Sequence, residues 1–171
     1  MQKPIIFLDI DGVVNTGISR DFSGEIDYCI PHNFSKQLNN KYAFGLLNIL
    51  YEIVPYDIVV SSAWRHCVDC RQLLYDNGLN PDIEIIDCTH ISFISEDIRR
   101  GFEIYTWIKT NNFNGNFIIL DDKTNMANLV DWLVLCDHSI GFDLPEFEKA
   151  KDMLTNENYT LKKLKQFDYV A

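Results

Sequence analysis

The sequence predicts an α/β domain built around a mostly parallel β-sheet. Short apolar runs rich in β-branched residues alternate along the chain with longer segments whose apolar residues recur at helical spacing. An apolar content of 47%, with 13% aromatic residues, is enough for a packed core. Strands that alternate with helices imply parallel pairing, right-handed crossovers and helices on both faces of the sheet.

The amino-terminal half of the chain supplies the first two strands. Residues 5–8 are consecutive apolar residues, as in a short strand buried on both faces, and Gly12 ends this extended segment. Residues 15–40 are polar and interrupted by glycine and proline, so we expect loops there, with room for a hairpin. The elements that follow are a helix over 42–53, a strand over 58–60 and a helix over 66–77.

The carboxyl-terminal half continues the alternation. Ser95 is a candidate N-cap for a helix with an apolar stripe, and Pro145 suits the first turn of a later helix. The predicted elements are a strand over 83–86, a helix over 95–110, strands over 117–120 and 133–135, and one or two helices after residue 145.

Length and charge limit the classes of function. We expect one domain over 1–171, with 15–40 as a loop or flap insert over the functional site that the strand ends described below would form. The net charge of −10 disfavours long contact with nucleic acid, whose phosphates require Lys and Arg. No apolar stretch approaches the roughly 20 residues of a membrane span, so no membrane contact is expected. Five cysteines, an odd number without a signal peptide, favour reduced thiols and a cytoplasmic protein over a redox or zinc site at Cys67 and Cys70.

Acidic residues follow the first predicted strand directly. Asp9 and Asp11 lie two residues apart, so both carboxylates are expected on the same side where the strand ends. Like charges this close repel each other, and a divalent cation with oxygen ligands would relieve the repulsion. Mg²⁺ suits a site that it shares with a phosphate. The alternative is a turn with solvated acids, since Asp-Gly is a common turn signal.

Other polar residues follow other predicted strands. Ligands bind at the carboxyl ends of parallel strands, so these residues are expected near Asp9. Asp121 and Asp122 would add metal ligands, with a helix N-cap as the alternative. Candidate phosphate contacts after the second strand are the Ser61 or Ser62 hydroxyl and the Arg65 guanidinium, with a buried Trp64 beside a surface Arg as the alternative. Asp137 also follows a strand.

Two arginines open the helix predicted after the third strand. Arg99 and Arg100 are cations near a helix N-terminus, which opposes the helix dipole. That cost is explained if one of them faces a phosphate or a carboxylate. A surface ion pair of Arg100 with Glu103, three residues later, is the alternative.

Four segments, in this order, resemble the motifs of the haloacid dehalogenase (HAD) superfamily of phosphatases. They are FLDIDGVVN over 7–15, VS at 60–61, Arg100, and IILDD over 118–122. The stretches VSSAWR and RGFEI, and Asp137 followed by Gly141, are similar to a branch found in bacterial, phage and RNA-repair proteins. The resemblance implies a three-layer α/β/α Rossmann-like core with a five-stranded sheet and a minimal cap domain or none.

The resemblance also implies a role for each matched position. Asp9 would attack phosphorus and form an aspartyl-phosphate, and Asp11 would act as general acid and then as general base. Ser61 would hold a phosphoryl oxygen and Arg100 would neutralise the phosphate, although Ser62 and Arg99 remain alternatives. The Mg²⁺ ligands would be Asp9, the backbone carbonyl of Asp11, Asp121 and, through water, Asp122.

The expected activity is Mg²⁺-dependent hydrolysis of a phosphate monoester. In the superfamily that the chain resembles, an open site usually goes with a bulky or flat substrate, so the resemblance implies a phosphorylated substrate such as a nucleotide or a nucleic-acid end. A non-catalytic domain that binds a phosphorylated ligand, or a phosphotransferase, are alternatives on the same fold.

Overall fold

The computed structural model describes residues 2–20, 26–28, 38–66 and 68–156. Its main sheet has five strands in the order β5-β4-β1-β6-β7, and every pairing in it is parallel. This confirms the predicted α/β class. The strands of this sheet are β1 (Ile5–Leu8), β4 (Asp57–Val60), β5 (Ile85–Cys88), β6 (Phe117–Asp121) and β7 (Leu133–Leu135).

Within the described residues, four helices connect and cover these strands. They are α1 (Lys41–Ile53), α2 (Cys70–Asp76), α3 (Arg99–Thr110) and α4 (Leu144–Thr155), with 3₁₀ turns at Ala63–His66 and Ala127–Trp132. Residues on alternate sides of β1 belong to two different apolar clusters. Ile6 and Leu8 pack with α1, α2 and α4 on one face, while Ile5 and Phe7 pack with α3 on the other. The domain therefore has the three layers that the sequence predicts.

Part of the predicted loop region of residues 15–40 forms a small hairpin. Strands β2 (Ile18–Arg20) and β3 (Ile26–Tyr28) pair antiparallel. Residues 21–25 and 29–37 lie outside the described residues, so the role of 15–40 as a flap stays a prediction. The segment between β5 and α3, residues 89–98, contains no strand or helix, so no cap domain is inserted there.

Three predicted boundaries differ from the structure. Helix α2 begins at Cys70 instead of residue 66, because Asp69 caps it by accepting from the backbone N–H groups of Arg71 and Gln72. Strand β5 starts two residues later than predicted. Ile83 is buried in a turn, where its carbonyl accepts from the Tyr75 hydroxyl.

Helix α3 starts at Arg99, and Ser95 is not its cap. The N-cap residue is Ile98, which makes no side-chain capping bond, and residues 96–98 form a turn before the helix. Helix α4 does begin as predicted, with Pro145 in its first turn and a capping box between Asp143 and Glu146.

Two further predictions are tested only in part. Cys70, Cys88 and Cys136 are free thiols, whereas Cys29 and Cys67 lie outside the described residues. Among the helices that are described, none is long and apolar enough to cross a membrane.

Candidate metal and phosphate site

The register of the sheet aligns the carboxyl ends of its three central strands. Leu8 of β1 pairs with Val60 of β4 on one side and with Leu120 of β6 on the other. The residues that follow, Asp9, Ser61 and Asp121, therefore lie side by side. Backbone bonds hold this row, since the Asp9 N–H donates to the Leu120 carbonyl at 2.9 Å and the Ser61 N–H to the Leu8 carbonyl at 2.8 Å.

Three carboxylates meet at this edge. One oxygen each from Asp9, Asp121 and Asp122 lies within 4.8 Å of the other two. Asp9 and Asp121 are almost fully buried, at 4% and 0% exposure. Burial, together with the nearby Asp9 charge, raises the pKa of Asp121 to about 8 against the opposing effect of Arg100. Burial also raises the pKa of Asp9, opposed by Arg100 and by a hydrogen bond from Ser62.

The buried oxygens of this cluster fit a cation. Asp122 Oδ1 is buried and has no hydrogen-bond partner, and Asp121 Oδ2 accepts no hydrogen bond and has the Arg100 guanidinium 3.2 Å away. Buried carboxylate oxygens are costly to leave without a partner. An all-oxygen set of three acidic residues suits a hard divalent ion. Asp9, Asp121 and Asp122 are therefore the residues that can hold a metal.

Arg100 supplies the positive charge of the site. Its guanidinium Nε lies 3.2 Å from Asp121 Oδ2 and its Nη2 lies 3.7 Å from Asp9 Oδ2. Its Nη1 donates to the Ser61 hydroxyl at 3.4 Å. Arg99 instead donates to the Ile94 carbonyl. Of the two arginines that open α3, the structure thus brings Arg100 into the site.

Both candidate serines lie in the site. Ser61 and Ser62 are each 1% exposed. The Ser61 hydroxyl accepts from Arg100, and the Ser62 hydroxyl donates to Asp9. The geometry therefore gives each serine a contact with a different charged group.

A family comparison extends what the geometry shows. The family model described as the HAD domain in Swiss Army Knife RNA repair proteins matches residues 5–147. The chain belongs to this family. No curated protein and no solved structure matches the chain significantly. Membership confirms the resemblance to HAD domains of RNA-repair proteins and indicates a HAD-type phosphatase or hydrolase in general terms.

The Asp11 carboxylate in the first motif of this HAD domain has hydrogen-bond partners of its own, and the expectation that it projects from the same side as Asp9 stays a prediction. The Asp11 side chain is not part of the three-carboxylate cluster. Its Oδ1 accepts from Asn15 Nδ2 at 2.7 Å and its Oδ2 from Trp64 Nε1 at 2.9 Å. Gly12 follows with a positive φ of 74°, and a Cβ there would lie 2.5 Å from the Asp122 carboxyl group. Gly12 thus allows the Asp122 side chain to approach the turn.

Glu103 of the HAD domain has a larger role than the sequence indicates. The alternative of a surface ion pair is wrong, because Glu103 is only 3% exposed. Its Oε2 lies 2.8 Å from Arg65 Nη2 and 3.6 Å from Arg100 Nη1, and its Oε1 accepts from the Ser92 N–H at 3.0 Å. The spacing of three residues between Arg100 and Glu103 was a signal for their pairing, but not for the burial.

Trp64 and Arg65 lie in the 3₁₀ turn that follows β4. Trp64 is buried, as one alternative had it, but the Arg65 side chain is buried as well, at 6% exposure. Arg65 binds Glu103 and the backbone carbonyl of Ser62, and its Nε has no partner. It also lines a cavity of about 320 Å³ beside β4 and β5. A direct contact of Arg65 with substrate stays a prediction.

Two other acidic or basic positions differ from the sequence analysis. His138 contacts Asp122 Oδ2 through its Nδ1, which no pattern in the sequence indicated. Asp137 is exposed and accepts from the backbone N–H groups of Ser139 and Ile140, so it stabilises a turn outside the cluster.

Proposed function

We propose that this HAD domain is a Mg²⁺-dependent phosphatase that hydrolyses phosphate monoesters through an aspartyl-phosphate. The observation that carries the proposal is the group of buried carboxylates, Asp9, Asp121 and Asp122, with Arg100 in contact with two of them. Grouping buried like charges destabilises the folded protein. A phosphoryl-transfer site that binds a cation together with a phosphate would explain why these charges are grouped.

The first step transfers the phosphoryl group to the protein. One Asp9 oxygen attacks phosphorus, the bond from phosphorus to the leaving oxygen breaks, and Asp11 gives its proton to that oxygen. Arg100 and the hydroxyl of Ser61 or Ser62 stabilise the negative charge on the phosphoryl oxygens. Magnesium held by Asp9, the Asp11 carbonyl, Asp121 and Asp122 would supply the charge that lets a carboxylate approach a phosphate.

The second step regenerates Asp9. Asp11, now a carboxylate, takes a proton from a water molecule that attacks phosphorus. The bond between phosphorus and the Asp9 oxygen breaks, and inorganic phosphate leaves. The Asp11 carboxylate is available for both roles because it is not one of the three carboxylates grouped for a metal.

The substrate we propose is a nucleotide or a nucleic-acid end. The family description refers to RNA repair proteins, and no cap domain is inserted between β5 and α3. The net charge of −10 favours short phosphorylated ends over long nucleic acid. The free thiols of Cys70, Cys88 and Cys136 suit a reducing compartment such as the cytoplasm.

Hydrolysis of p-nitrophenyl phosphate tests the reaction. Wild type with Mg²⁺ is expected to turn over, whereas Asp9→Asn and wild type in EDTA are expected to lose at least about a hundredfold in rate, since the nucleophile or the charge screening is removed. Asp152→Asn, an exposed carboxylate on α4, is the matched control. An active Asp9→Asn variant would refute the proposal.

Two alternatives have separate outcomes in the same experiments. A phospho-ligand-binding domain would bind phosphate with Mg²⁺ and show no turnover. A phosphotransferase would release a phosphorylated acceptor in place of inorganic phosphate. Rates on mononucleotides, phosphorylated oligonucleotides and sugar phosphates would then rank the substrate classes.

A further inference from the structure

The Asp11 carboxylate is held at both of its oxygens. Asn15 Nδ2 donates to Oδ1 at 2.7 Å and the Trp64 indole Nε1 donates to Oδ2 at 2.9 Å. Two donors on two different oxygens fix the rotation of the carboxylate as well as its position. Each oxygen has a second lone pair, so the carboxylate can still take up or release a proton.

The donor on Oδ2 is itself rigid. Trp64 is 5% exposed and belongs to the apolar cluster beneath α1 and α2. It lies in the 3₁₀ turn that follows Ser61 and Ser62, and its backbone N–H donates to the Ser62 hydroxyl at 3.4 Å. The same turn therefore positions the candidate phosphate-binding hydroxyls and the indole.

The donor on Oδ1 belongs to the turn that carries Asp11. The backbone N–H of Asn15 donates to the Ile10 carbonyl at 2.9 Å, and the Gly12 N–H donates to the Asn15 carbonyl at 2.7 Å. The backbone of Asn15 thus closes the turn, and its side chain binds the exposed carboxylate of Asp11.

We propose that Trp64 is a positioning residue for Asp11, with Asn15 as its partner. This inference rests on the proposed function, in which Asp11 transfers the proton. Without the indole, the exposed Asp11 side chain would keep only the hydrogen bond from Asn15 of these two, and its carboxylate could rotate about that contact. Hydrogen bonds from Trp64 and Asn15 hold the Asp11 carboxyl group in one orientation. In that orientation a proton on one of its remaining lone pairs can pass to the leaving oxygen. Preorganisation of this kind is a large part of the effect of a general acid.

The inference predicts a dependence on the leaving group. An alkoxide leaving group needs a proton in the transition state, whereas p-nitrophenolate leaves almost without one. Trp64→Phe keeps an aromatic ring and removes the indole N–H. We expect its kcat/KM, which reports the step in which Asp11 acts as an acid, to fall about tenfold or more for an alkyl phosphate and less than about threefold for p-nitrophenyl phosphate.

Two further variants keep the experiment decisive. Asn15→Ala is expected to shift selectivity in the same direction and carries the test if Trp64→Phe does not fold. Trp107→Phe is the matched control, because Trp107 is also 5% exposed and its Nε1 donates to a carboxylate, Asp87 Oδ2, at 2.7 Å. Its selectivity between the two substrates should equal that of wild type.

Indole N–H resonances give a readout without turnover. The chain has three tryptophans, and the Trp64 signal is the one that Trp64→Phe lacks. In Asp11→Ala this signal is expected to shift and to exchange faster with solvent, while the other two stay unchanged. An unchanged Trp64 signal would overturn the inference.

The outcomes separate this inference from the proposed function. Wild-type turnover with equal losses on both substrates in Trp64→Phe and Asn15→Ala would refute the positioning role alone. A wild type that hydrolyses neither substrate would refute the proposed function, and the catalytic role of Trp64 with it.

Discussion

Replacing Asp121 with Asn is expected to stabilise the metal-free protein at neutral pH. The wild-type carboxyl group is fully buried beside Asp9, and its pKa is raised to about 8. Asparagine has nearly the same shape, and its amide oxygen can still accept from the Lys123 N–H, as Asp121 Oδ1 does at 2.9 Å. The amide NH₂ would take the place of Oδ2, 3.2 Å from Arg100 Nε, and the loss of this acceptor offsets part of the gain. Arg100 keeps Asp9 and Glu103 as neighbours, so no buried cation is left unpaired.

The sign of the pH dependence follows from the raised pKa. Between the ordinary value of 3.8 and about 8, the folded state holds a proton on Asp121 that the unfolded state has lost. The free energy of unfolding therefore falls as the pH rises through this window. At roughly 1.4 kcal/mol per pH unit, this gap corresponds to roughly 5 kcal/mol by pH 8. Relaxation around the site lowers the measured difference to about 2–4 kcal/mol.

Thermal unfolding in EDTA tests this prediction. For a domain of this size 1 kcal/mol corresponds to about 2–4 °C, so Asp121→Asn should raise the Tm by about 4–16 °C at pH 8 and by much less at pH 5. Added Mg²⁺ should raise the Tm of wild type and leave the variant nearly unchanged, because binding to the folded state alone stabilises it. Asp152→Asn serves as the control. A variant that is less stable than wild type at pH 8, or a difference that does not shrink by pH 5, would refute the reasoning.

Three further substitutions test the surroundings of the site. Glu103→Gln removes the carboxylate shared by two buried guanidinium groups, so the free energy of unfolding measured in urea should fall by about 3 kcal/mol. The kcat should also fall, because Arg100 loses a partner. Gly101→Ala places a Cβ 2.0 Å from the Met126 carbonyl oxygen, so we expect the free energy of unfolding to fall by about 1–3 kcal/mol. We also expect weaker phosphate binding in calorimetry. Asp143→Ala removes the α4 capping box, which should lower the Tm by about 2–4 °C without changing turnover.

The sequence predicted most of the fold because the strands are short, apolar and followed by polar residues. Asp9, Ser61 and Asp121 were identified as neighbours from the rule that carboxyl ends of parallel strands share an edge. The boundaries of α2, β5 and α3 were wrong, since turns held by hydrogen bonds, such as the one at Ile83, have no hydrophobic periodicity.

The burial of the residues around the site could not be predicted from the sequence. A surface ion pair of Arg100 with Glu103 stayed open as an alternative, because spacing along a helix does not show whether another layer covers that face. The hydrogen bond from Trp64 to Asp11 joins residues that are 53 positions apart in the sequence, so only the folded chain reveals it. The choice between Arg99 and Arg100 likewise depended on the rotation of α3 about its axis.

The charges of the site explain why one arginine serves three groups. Arg100 contacts Asp9, Asp121 and Glu103, and Glu103 also pairs with Arg65. These guanidinium groups offset only part of the buried negative charge, because raised pKa values remain at Asp9 and Asp121. A bound divalent cation would remove that excess negative charge. Bound Mg²⁺ should therefore release protons, and the number released per ion, measured by titration calorimetry in buffers of different ionisation enthalpy, should fall as the pH rises from 6 toward 9. Proton release that is absent at pH 6 would contradict this account of the buried charge.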